Sequence, residues 1–408
     1  MKITAIETIQ AAEFSNLVWV RVETDEGIVG LGETFRNSEA TAAYIHETCA
    51  PYLIGQNPLN IERHANALTN KVANHYFGYP TRSIEMRGNS AIDFALWDIL
   101  GKSVGQPAWQ LLGGLSHDRI RVYNTCASAD YNNQLRAANT KFIQHGEVKK
   151  REFTQFEDLE AQLAAPGELA QSLLNDGISG MKIWPFDGLA HVSDGHDLGL
   201  TDLKSGVRVV EEIRKAVGDK MDIMIEYHAL WRLPQALKIA RALDAFDVYW
   251  HEDPVPMYRF DDLEQFKRGT TGRVCGSENM GTKVWYADAF QRGVIDVVHF
   301  DMCWIGGLTE GRKVAALAET YERPIAPHDC VGPVTYAASS HMVLSAPNAL
   351  VQESVRAFYN GYYRDIVTDI PKIEDGFMYP MTKPGLGLEL LPDFTSRSDI
   401  KTRRSDSI

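Results

Sequence analysis

Three short runs decide the fold: Asp222-Ile-Met-Ile-Glu226, Asp247-Val-Tyr-Trp-His-Glu252 and Arg273-Val-Cys-Gly-Ser-Glu278. Each run is largely apolar, has the length of a β-strand and ends in a glutamate, and the glutamates are 26 residues apart. This spacing predicts three equivalent positions in a repeated βα unit. In a closed parallel barrel the carboxyl ends of all strands lie on one face, so the three glutamates are expected to meet there.

Three further runs continue the pattern at about the same step. They read Val297-Val-His-Phe-Asp301, Pro324-Ile-Ala-Pro-His328 and Leu350-Val-Gln-Glu353. Candidate strands at 121–127 and 180–184 precede the six, and helical patterns such as 203–217 and 308–321 lie between strands. Seven or eight βα units in one run predict an α/β fold with a closed parallel barrel. An open doubly wound sheet is the alternative, but it needs a glycine-rich phosphate turn where this chain has Ser128-Ala-Asp-Tyr.

The first part of the chain has a different pattern. Alternating apolar residues at 3–9 and 16–33, with a turn at Asp25-Glu-Gly27, predict an antiparallel meander whose first segment is an edge strand. Helical patterns follow at 39–53, 61–74 and 89–101. We expect an α+β domain at 1–118, completed by about 375–408, and a barrel at 119–374 with an insertion at about 130–163. The last dozen residues, 397–408, are expected to be a frayed tail.

Length and charge narrow the possible functions. At 408 residues the chain fits one barrel plus a smaller domain, or two to three ordinary domains. Its net charge of −13 argues against nucleic acid and anionic membrane as partners, because both bind through clustered Lys and Arg. No segment has the roughly 20 apolar residues that span a membrane, and the N-terminus lacks the features of a secretory signal. The five cysteines form no CxxC pair, so we expect reduced core residues and a cytoplasmic protein.

The three strand-end glutamates indicate a metal site. Oxygen ligands from carboxylates favour Mg²⁺, which leaves coordination positions for water or substrate oxygens, whereas zinc would require His or Cys. A salt-bridged or solvated carboxylate is the common alternative for any single strand-end glutamate. Three glutamates in equal register favour a shared cation instead.

Two other strand ends predict a general base. Asp301 and His328 end consecutive units, so their side chains can touch at the barrel mouth. A carboxylate that accepts from one imidazole nitrogen fixes the tautomer and raises the basicity of the other nitrogen. A hydrogen-bonded loop residue is the alternative for His328 taken alone. The nearby His251 and His299 are predicted to be structural.

Lys182, His228 and Glu353 complete the candidate site. Lys182 has apolar and aromatic neighbours, where a charge is costly unless it faces the pocket; a lysine that reaches solvent is the alternative. His228 lies two residues beyond Glu226 and therefore on the same face of the strand. It is a candidate general acid or, alternatively, a hydrogen-bond partner of a metal ligand. Glu353 closes the ring of ionisable residues and is a weak signal by itself.

These residues and several motifs resemble the enolase superfamily, and within it the mandelate racemase-like subgroup. The motifs are Met1-Lys-Ile-Thr-Ala-Ile-Glu, Ala91-Ile-Asp-Phe-Ala-Leu-Trp-Asp-Ile-Leu-Gly-Lys102, Pro107-Ala-Trp-Gln-Leu-Leu-Gly-Gly114, His251-Glu-Asp-Pro254 and Gly385-Leu-Gly-Leu-Glu389. The resemblance covers nearly the whole chain. It implies a (β/α)7β TIM-like barrel with an α+β capping domain formed by both chain ends.

The resemblance also implies a reaction. The three glutamates would bind Mg²⁺, Asp301 and His328 would form a catalytic dyad, and Glu353 would assist at the substrate carboxylate. The shared chemistry begins by removing the proton α to a carboxylate, and the metal supports the negative charge that results. Lys182 would add to that support.

One position departs from the racemases of the subgroup, which carry Lys-x-Lys on the second barrel strand. The place of the second lysine is Trp184, so racemisation through that base is not expected. The remaining pair, His328 and His228, is similar to that of acid sugar dehydratases. We expect a hydro-lyase that removes the α proton and the β-hydroxyl of an aldonate or aldarate and gives a 2-keto-3-deoxy acid. A sugar-lactone cycloisomerase or epimerase, and a non-catalytic sugar-acid-binding protein, are the alternatives.

Substrate contacts are predicted from both parts of the chain. Lys182 and Trp184 would contribute from the barrel, and His75, Tyr79 and Arg82 from a segment that resembles a specificity loop of the family. The predicted partner is a small sugar acid, and a homo-oligomer is expected.

Overall fold

The computed structural model describes residues 1–72, 84–129, 131–132 and 157–406. Their strands are β1 Ile3–Ala11, β2 Leu17–Thr24, β3 Val29–Phe35, β4 Ile120–Thr125, β5 Gly180–Ile183, β6 Asp222–Glu226, β7 Trp250–Glu252, β8 Val274–Gly276, β9 Val297–Val298, β10 Gln352–Ser354, β11 Ile373–Glu374, β12 Phe377–Met378 and β13 Ile400–Ser405. The longer α-helices are Ser38–Tyr44, Ile61–Ala67, Ile84–Val104, Asp158–Ala164, Pro166–Asn175, Leu200–Val217, Leu233–Leu243, Phe260–Gly269, Thr282–Arg292, Gly307–Thr320 and Pro333–Ser345. Most of the predicted insertion at 130–163 lies outside the described residues.

Strands β4 to β9 pair in parallel in chain order, and β10 pairs in parallel with β4. Between β9 and β10 the ladder continues through single bridges from Val298 to Ile325 and from Ile325 to Ala349. The sheet is therefore a closed barrel with eight positions and helices between them, which confirms the predicted fold class. The seventh position is not a full strand, because Pro324 and Pro327 have no N–H to donate to a ladder.

A small apolar cluster fills the inside of the barrel. It takes one residue from seven of the eight barrel positions: Tyr123, Met224, Trp250, Cys275, Val297, Ala326 and Val351. Alternate residues of a strand face the same side, so residues two places later also face the interior, closer to the carboxyl ends of the strands. Glu226, Glu252, His328 and Glu353 stand in that relation to members of the cluster. The polar residues thus lie at one mouth of the barrel, above an apolar floor.

The helix Ile84–Val104 lies directly against β3. A Cβ atom at Gly30 would be 2.0 Å from the carbonyl oxygen of Ala95, and one at Gly32 would be 1.8 Å from that of Ala91. Only glycine permits two backbones to approach this closely. The pair of glycines in β3 therefore sets the position of the helix.

Asp98 on this helix connects the two ends of the chain. Its carboxylate accepts from the backbone N–H of Leu31 at 2.9 Å and of Leu386 at 2.8 Å, and it pairs with Lys102 at 2.7 Å. Burial raises the pKa of Asp98 to about 6, although Lys102 opposes that effect. The segment near Leu386 rejoins the first part of the chain as the sequence indicated, while the domain limits at 118 and 375 stay a prediction.

The predicted frayed tail at 397–408 is wrong. Strand β13 pairs antiparallel with β1, from Ile6 opposite Ser405 to Ala11 opposite Ile400. Strand β1 is consequently an inner strand of the sheet β13-β1-β2-β3, and its prediction as an edge strand is also wrong. The exposed charges of Lys401-Thr-Arg-Arg404 are typical of an edge strand, where they discourage pairing with another chain.

All five cysteines are buried and free, as predicted for reduced core residues. Burial raises the pKa of Cys126, Cys275 and Cys303 well above its usual range, so these thiols stay protonated. Within the described ranges, no helix combines the length and the apolar character that crossing a bilayer requires.

Buried His341 makes the stability of the fold dependent on pH. Its Nδ1 accepts from the Trp109 N–H at 3.3 Å and its Nε2 donates to the Leu386 carbonyl at 3.1 Å, which requires a neutral ring. Burial lowers the pKa of His341 to about 4. Since the unfolded chain binds this proton near pH 6.5, stability is complete above that pH and falls as the pH drops toward 4. At pH 5 the loss is on the order of 2 kcal/mol.

Glutamine can still donate and accept a hydrogen bond but does not titrate. We therefore expect His341→Gln to remove the part of the pH dependence of the free energy of unfolding that comes from His341. Urea unfolding of both proteins at pH 7.5 and pH 5 measures it. His46 and His251, whose pKa burial also lowers to about 4, titrate in both proteins, so the difference between them isolates His341. Equal losses in the two proteins would contradict the assignment.

Candidate active site

The ionisable residues predicted at the strand ends lie at one mouth of the barrel. Glu226 and Glu252 are the last residues of β6 and β7 and stand opposite each other in register. Asp301 and His328, at the sixth and seventh barrel positions, form a parallel bridge. Each of these four residues is at most 5% exposed. The regular period of the strands is what brings them to one face.

Lys182 on β5 lies at the centre of a group of carboxylates. Its Nζ is 2.5 Å from Glu252 Oε1, 2.7 Å from Glu353 Oε1 and 3.6 Å from Glu226 Oε2. Burial opposes the charged form, yet these carboxylates raise the pKa of Lys182 well above its usual range. The alternative of a lysine that reaches solvent is wrong, because its side chain is 2% exposed.

Glu226 and Glu252 are neighbours among the carboxylates around Lys182. Glu226 Oε1 accepts from the N–H groups of Tyr227 and His228, whereas its Oε2 is buried and has no hydrogen-bond partner in the described part of the chain. Burial, and then the charge of Glu252, raise the pKa of Glu226 well above its usual range. A carboxylate oxygen left in this state is suited to a cation ligand.

The third glutamate, Glu278, lies beside the predicted dyad. His328 Nδ1 donates to Asp301 Oδ2 at 2.6 Å, as predicted, and Asp301 Oδ1 accepts from the Cys303 N–H at 2.7 Å. His328 Nε2 is 2.6 Å from Glu278 Oε2. Burial works against the charged ring, but Glu278 and the other carboxylates raise the pKa of His328 well above its usual range. In this arrangement both nitrogens of His328 are engaged.

Glu353 is held from three directions. Its Oε1 accepts from the Thr125 hydroxyl and from Lys182, and its Oε2 accepts from the Asp329 N–H at 2.8 Å. Glu353 is completely buried. These contacts fix its carboxylate near Lys182, where it can share in binding a negatively charged substrate group only together with that lysine.

His228 lies at the rim of the mouth and forms a second histidine–carboxylate pair, with Asp187. Its Nδ1 donates to Asp187 Oδ2 at 2.5 Å, and its ring meets that of Trp184 edge to face with centroids 5.6 Å apart. Burial disfavours the charged ring, but Asp187 raises the pKa of His228 above its ordinary value. The side chain is 34% exposed, so Nε2 remains accessible from the mouth.

The carboxylates of Glu226, Glu252 and Glu278 supply the oxygen donors that a hard divalent cation prefers. The unpartnered Glu226 oxygen shows that the described residues leave this capacity unused. The ligand atoms of the three glutamates do not all lie within 4.8 Å of one another; in the described part of the chain, the group that meets this distance is Glu252 with Cys275 and His299. It suits a cation poorly, because burial raises the pKa of Cys275 and the Lys182 ammonium lies 3.5 Å from His299 Nε2.

Two family descriptions match the chain. "Mandelate racemase / muconate lactonizing enzyme, N-terminal domain" matches residues 2–113, and "Enolase C-terminal domain-like" matches residues 166–394. This chain belongs to the enolase superfamily. The predicted resemblance to its mandelate racemase subgroup is confirmed, and the protein is an enzyme of that superfamily.

Named relatives of this enolase superfamily member cover most of its length. A D-xylonate dehydratase of Haloferax volcanii is 30% identical over 95% of this chain and 87% of its own, and a D-galactonate dehydratase family member of Streptomyces bingchenggensis is 31% identical over 95% and 91%. Among solved structures, a mandelate racemase subgroup enolase from Agrobacterium tumefaciens is 44% identical, with a TM-score of 0.87 over 100% of this chain and 99% of the other. An enolase protein from Sargasso Sea environmental sequencing is 38% identical, with a TM-score of 0.86 over 100% and 99%.

The sequence did not predict Asp187 as a residue of this site, and it predicted His299 to be structural. Asp187, the partner of His228, begins the helix Asp187–Ala190 after β5, and four residues are too few to show a periodic pattern. His299 was read as structural, yet its Nε2 lies 2.9 Å from Glu252 Oε1. Its place two residues before Asp301, on the same strand face, was the available signal.

The structure assigns no position to three of the predicted substrate contacts. His75, Tyr79 and Arg82 fall at 73–83, outside the described residues. Trp184 and Lys182 both lie at the mouth. Trp184 contacts His228, and Lys182 contacts Glu252.

Proposed function

We propose that this protein is a magnesium-dependent dehydratase of a sugar acid, either an aldonate or an aldarate. The observation that carries the proposal is a pair of histidines, His328 and His228, each bonded to its own carboxylate beside the glutamate group. Elimination of water needs one group that takes a proton and one that gives a proton to the leaving hydroxyl. The dehydratase names of two relatives at 30% and 31% identity support this reaction.

Glu226, Glu252 and Glu278 would hold the Mg²⁺. When bound, the ion supplies Lewis acidity that polarises the substrate carboxylate and offsets the charge that grows on it. Lys182, buried among Glu252 and Glu353, would add a fixed positive charge on the same side. This preorganised charge lowers the cost of removing a weakly acidic α proton.

His328 would act as the base. Asp301 holds Nδ1 as the protonated nitrogen, so Nε2 is the atom that accepts the α proton. In the structure Nε2 is bonded to Glu278. The Glu278 carboxylate must therefore turn away from His328 before the ring can take a proton, which fits its assignment as a metal ligand.

His228 would act as the acid. As the carbon–oxygen bond at the β carbon breaks, its Nε2 gives a proton to the departing hydroxyl, which leaves as water. The two carbons become an enol that tautomerises to the 2-keto-3-deoxy acid. The test is a semicarbazide assay of the protein with Mg²⁺ across a library of aldonates and aldarates, where at least one acid should yield a 2-keto acid and none doing so would reject the proposal.

An epimerase is the second candidate, because His228 has the same carboxylate support as His328 and could return a proton to the α carbon. Sugar-lactone cycloisomerisation would use the same proton removal without loss of water. Either reaction predicts exchange of the α proton in D₂O without keto acid. A non-catalytic binding protein predicts neither exchange nor product.

Replacing His228 with glutamine should separate the two proton transfers. We expect keto-acid formation to fall about 10²- to 10³-fold because the leaving hydroxyl loses its proton donor. Exchange of the α proton, measured by NMR in D₂O, should continue within about tenfold of wild type. His191→Gln, at an exposed position directly after the helix Asp187–Ala190, is the control. Parallel loss of exchange and elimination would assign His228 to the first step instead.

We also propose a cytoplasmic location, which the five buried free thiols support.

A further inference from the structure

Two arginines at the mouth of the barrel have no carboxylate partner among the residues that the structure describes. The described residues include 35 ion pairs between charged groups, and neither Arg36 nor Arg87 takes part in any of them. Arg36 is exposed, but Arg87 is only 9% exposed. A buried guanidinium without a counter-ion is costly, so its environment requires an explanation.

Arg36 is held in place although it reaches solvent. Its Nη2 donates to the Tyr131 hydroxyl at 2.6 Å, and its guanidinium lies 5.2 Å from the centroid of the Phe35 ring. Its backbone has φ +65°, and its N–H donates to the Asn16 carbonyl at 2.6 Å. A long side chain that is fixed at both ends in this way loses its conformational freedom before any ligand arrives.

Arg87 reaches the same place from the helix Ile84–Val104. Its Nη1 donates to the Phe35 carbonyl, and its guanidinium lies 4.5 Å from the centroid of Trp304. Burial, and in smaller part the charge of Arg36, lower the pKa of Arg87. One guanidinium group lies over the Phe35 ring and the other donates to the Phe35 carbonyl, so the two concentrate positive charge at one point of the mouth.

This point adjoins the proposed base. Trp304 stacks on His328 with centroids 5.6 Å apart, and on Phe35 with centroids 6.0 Å apart. A line of aromatic rings thus leads from His328 to the two arginines. Asp301 and Glu278 are the barrel carboxylates whose charges affect the two arginines, and both carboxylates already pair with His328.

We propose that Arg36 and Arg87, with the Tyr131 hydroxyl, form a subsite for a second carboxylate at the far end of the substrate, so that the enzyme prefers aldarates to aldonates. The inference rests on the proposed function and specifies its substrate class. A sugar acid whose α carbon faces His328, with its first carboxylate toward Lys182, has its other end free to extend along the aromatic rings. An aldarate places a charge there, whereas an aldonate places a neutral hydroxymethyl group. Guanidinium groups bind carboxylates in paired, charge-assisted hydrogen bonds, which a hydroxyl cannot reproduce.

Matched substrates test the subsite. Glucarate and gluconate, and galactarate and galactonate, differ within each pair only in the terminal group. In the presence of Mg²⁺ we expect wild type to favour the aldarate of its reactive pair by about 100-fold in kcat/KM. Arg36→Gln should lower kcat/KM for that aldarate by about 100-fold, mainly through KM, and change that of the aldonate less than about threefold.

Arg208→Gln, at an exposed position of Leu200–Val217, is the matched control and should change neither value. Arg36→Lys should keep part of the preference, because it retains charge without the planar fork. An aldonate used as well as its aldarate, or an equal loss for both in Arg36→Gln, would overturn the subsite while leaving the dehydratase proposal standing.

If no acid yields a keto acid, the dehydratase proposal fails, and binding alone then decides the subsite. Calorimetric titration of the Mg²⁺-loaded protein should give at least about tenfold tighter binding of glucarate or galactarate than of its aldonate, lost in Arg36→Gln. Equal binding of the members of each pair, or no binding of either class, would overturn it.

Discussion

His328→Asn is expected to abolish keto-acid formation and α-proton exchange together, by on the order of a thousandfold or more in kcat. Asparagine can keep the hydrogen bond to Asp301 but has no basic nitrogen to take the proton. Binding of Mg²⁺ should persist, because the three glutamates are unchanged. Exchange in D₂O, the semicarbazide assay and calorimetry measure the three quantities on one preparation.

A matched control is available for this prediction. His196→Asn changes an exposed histidine that is not one of the site residues and should leave all three quantities within about twofold of wild type. Exchange that survives in His328→Asn would show that another group removes the α proton. Loss of Mg²⁺ binding in that variant would instead make His328 a metal ligand.

Glu252→Gln should weaken Mg²⁺ binding by at least about a hundredfold, since it removes one charged oxygen ligand and leaves an amide of similar shape. In wild type, Mg²⁺ should raise the thermal midpoint of unfolding, because a ligand that binds only the folded state stabilises it. That increase should disappear in the variant. Differential scanning calorimetry with and without Mg²⁺ measures the change.

Asp222→Asn is the control for the metal prediction. Asp222 begins the same strand β6 that Glu226 ends, and it pairs with Arg121 at the opposite mouth of the barrel. Its variant should keep the full effect of Mg²⁺. An equal rise of the thermal midpoint in Glu252→Gln would place the ion elsewhere.

Strand periodicity was sufficient to predict which residues share the barrel mouth. A two-residue alternation and a 26-residue step determine the face and the strand end of Glu226 and Glu252 without any knowledge of their contacts. The dyad of Asp301 and His328 followed from the same step. These features depend on backbone geometry, which the sequence pattern encodes directly.

The pairing of charges at that mouth could not be predicted in the same way. Glu278 contacts His328, and Lys182 contacts Glu252 and Glu353, because pairing with an opposite charge offsets part of the cost of burying these groups. Such choices depend on all neighbours at once, including those from distant strands. Asp187 was not predicted because the helix that it begins has only four residues, too few to show a period. Strand β13 was not predicted because an exposed, charged edge strand resembles a tail.

The most direct test of the account is a crystal structure with Mg²⁺ and a bound sugar acid. The account predicts the ion at about 2.0–2.1 Å from carboxylate oxygens of Glu226, Glu252 and Glu278. It also predicts that Glu278 has left His328, whose Nε2 then faces the α carbon of the acid. An ion bound elsewhere, or a Glu278 carboxylate that still pairs with His328 when the ion is present, would contradict it.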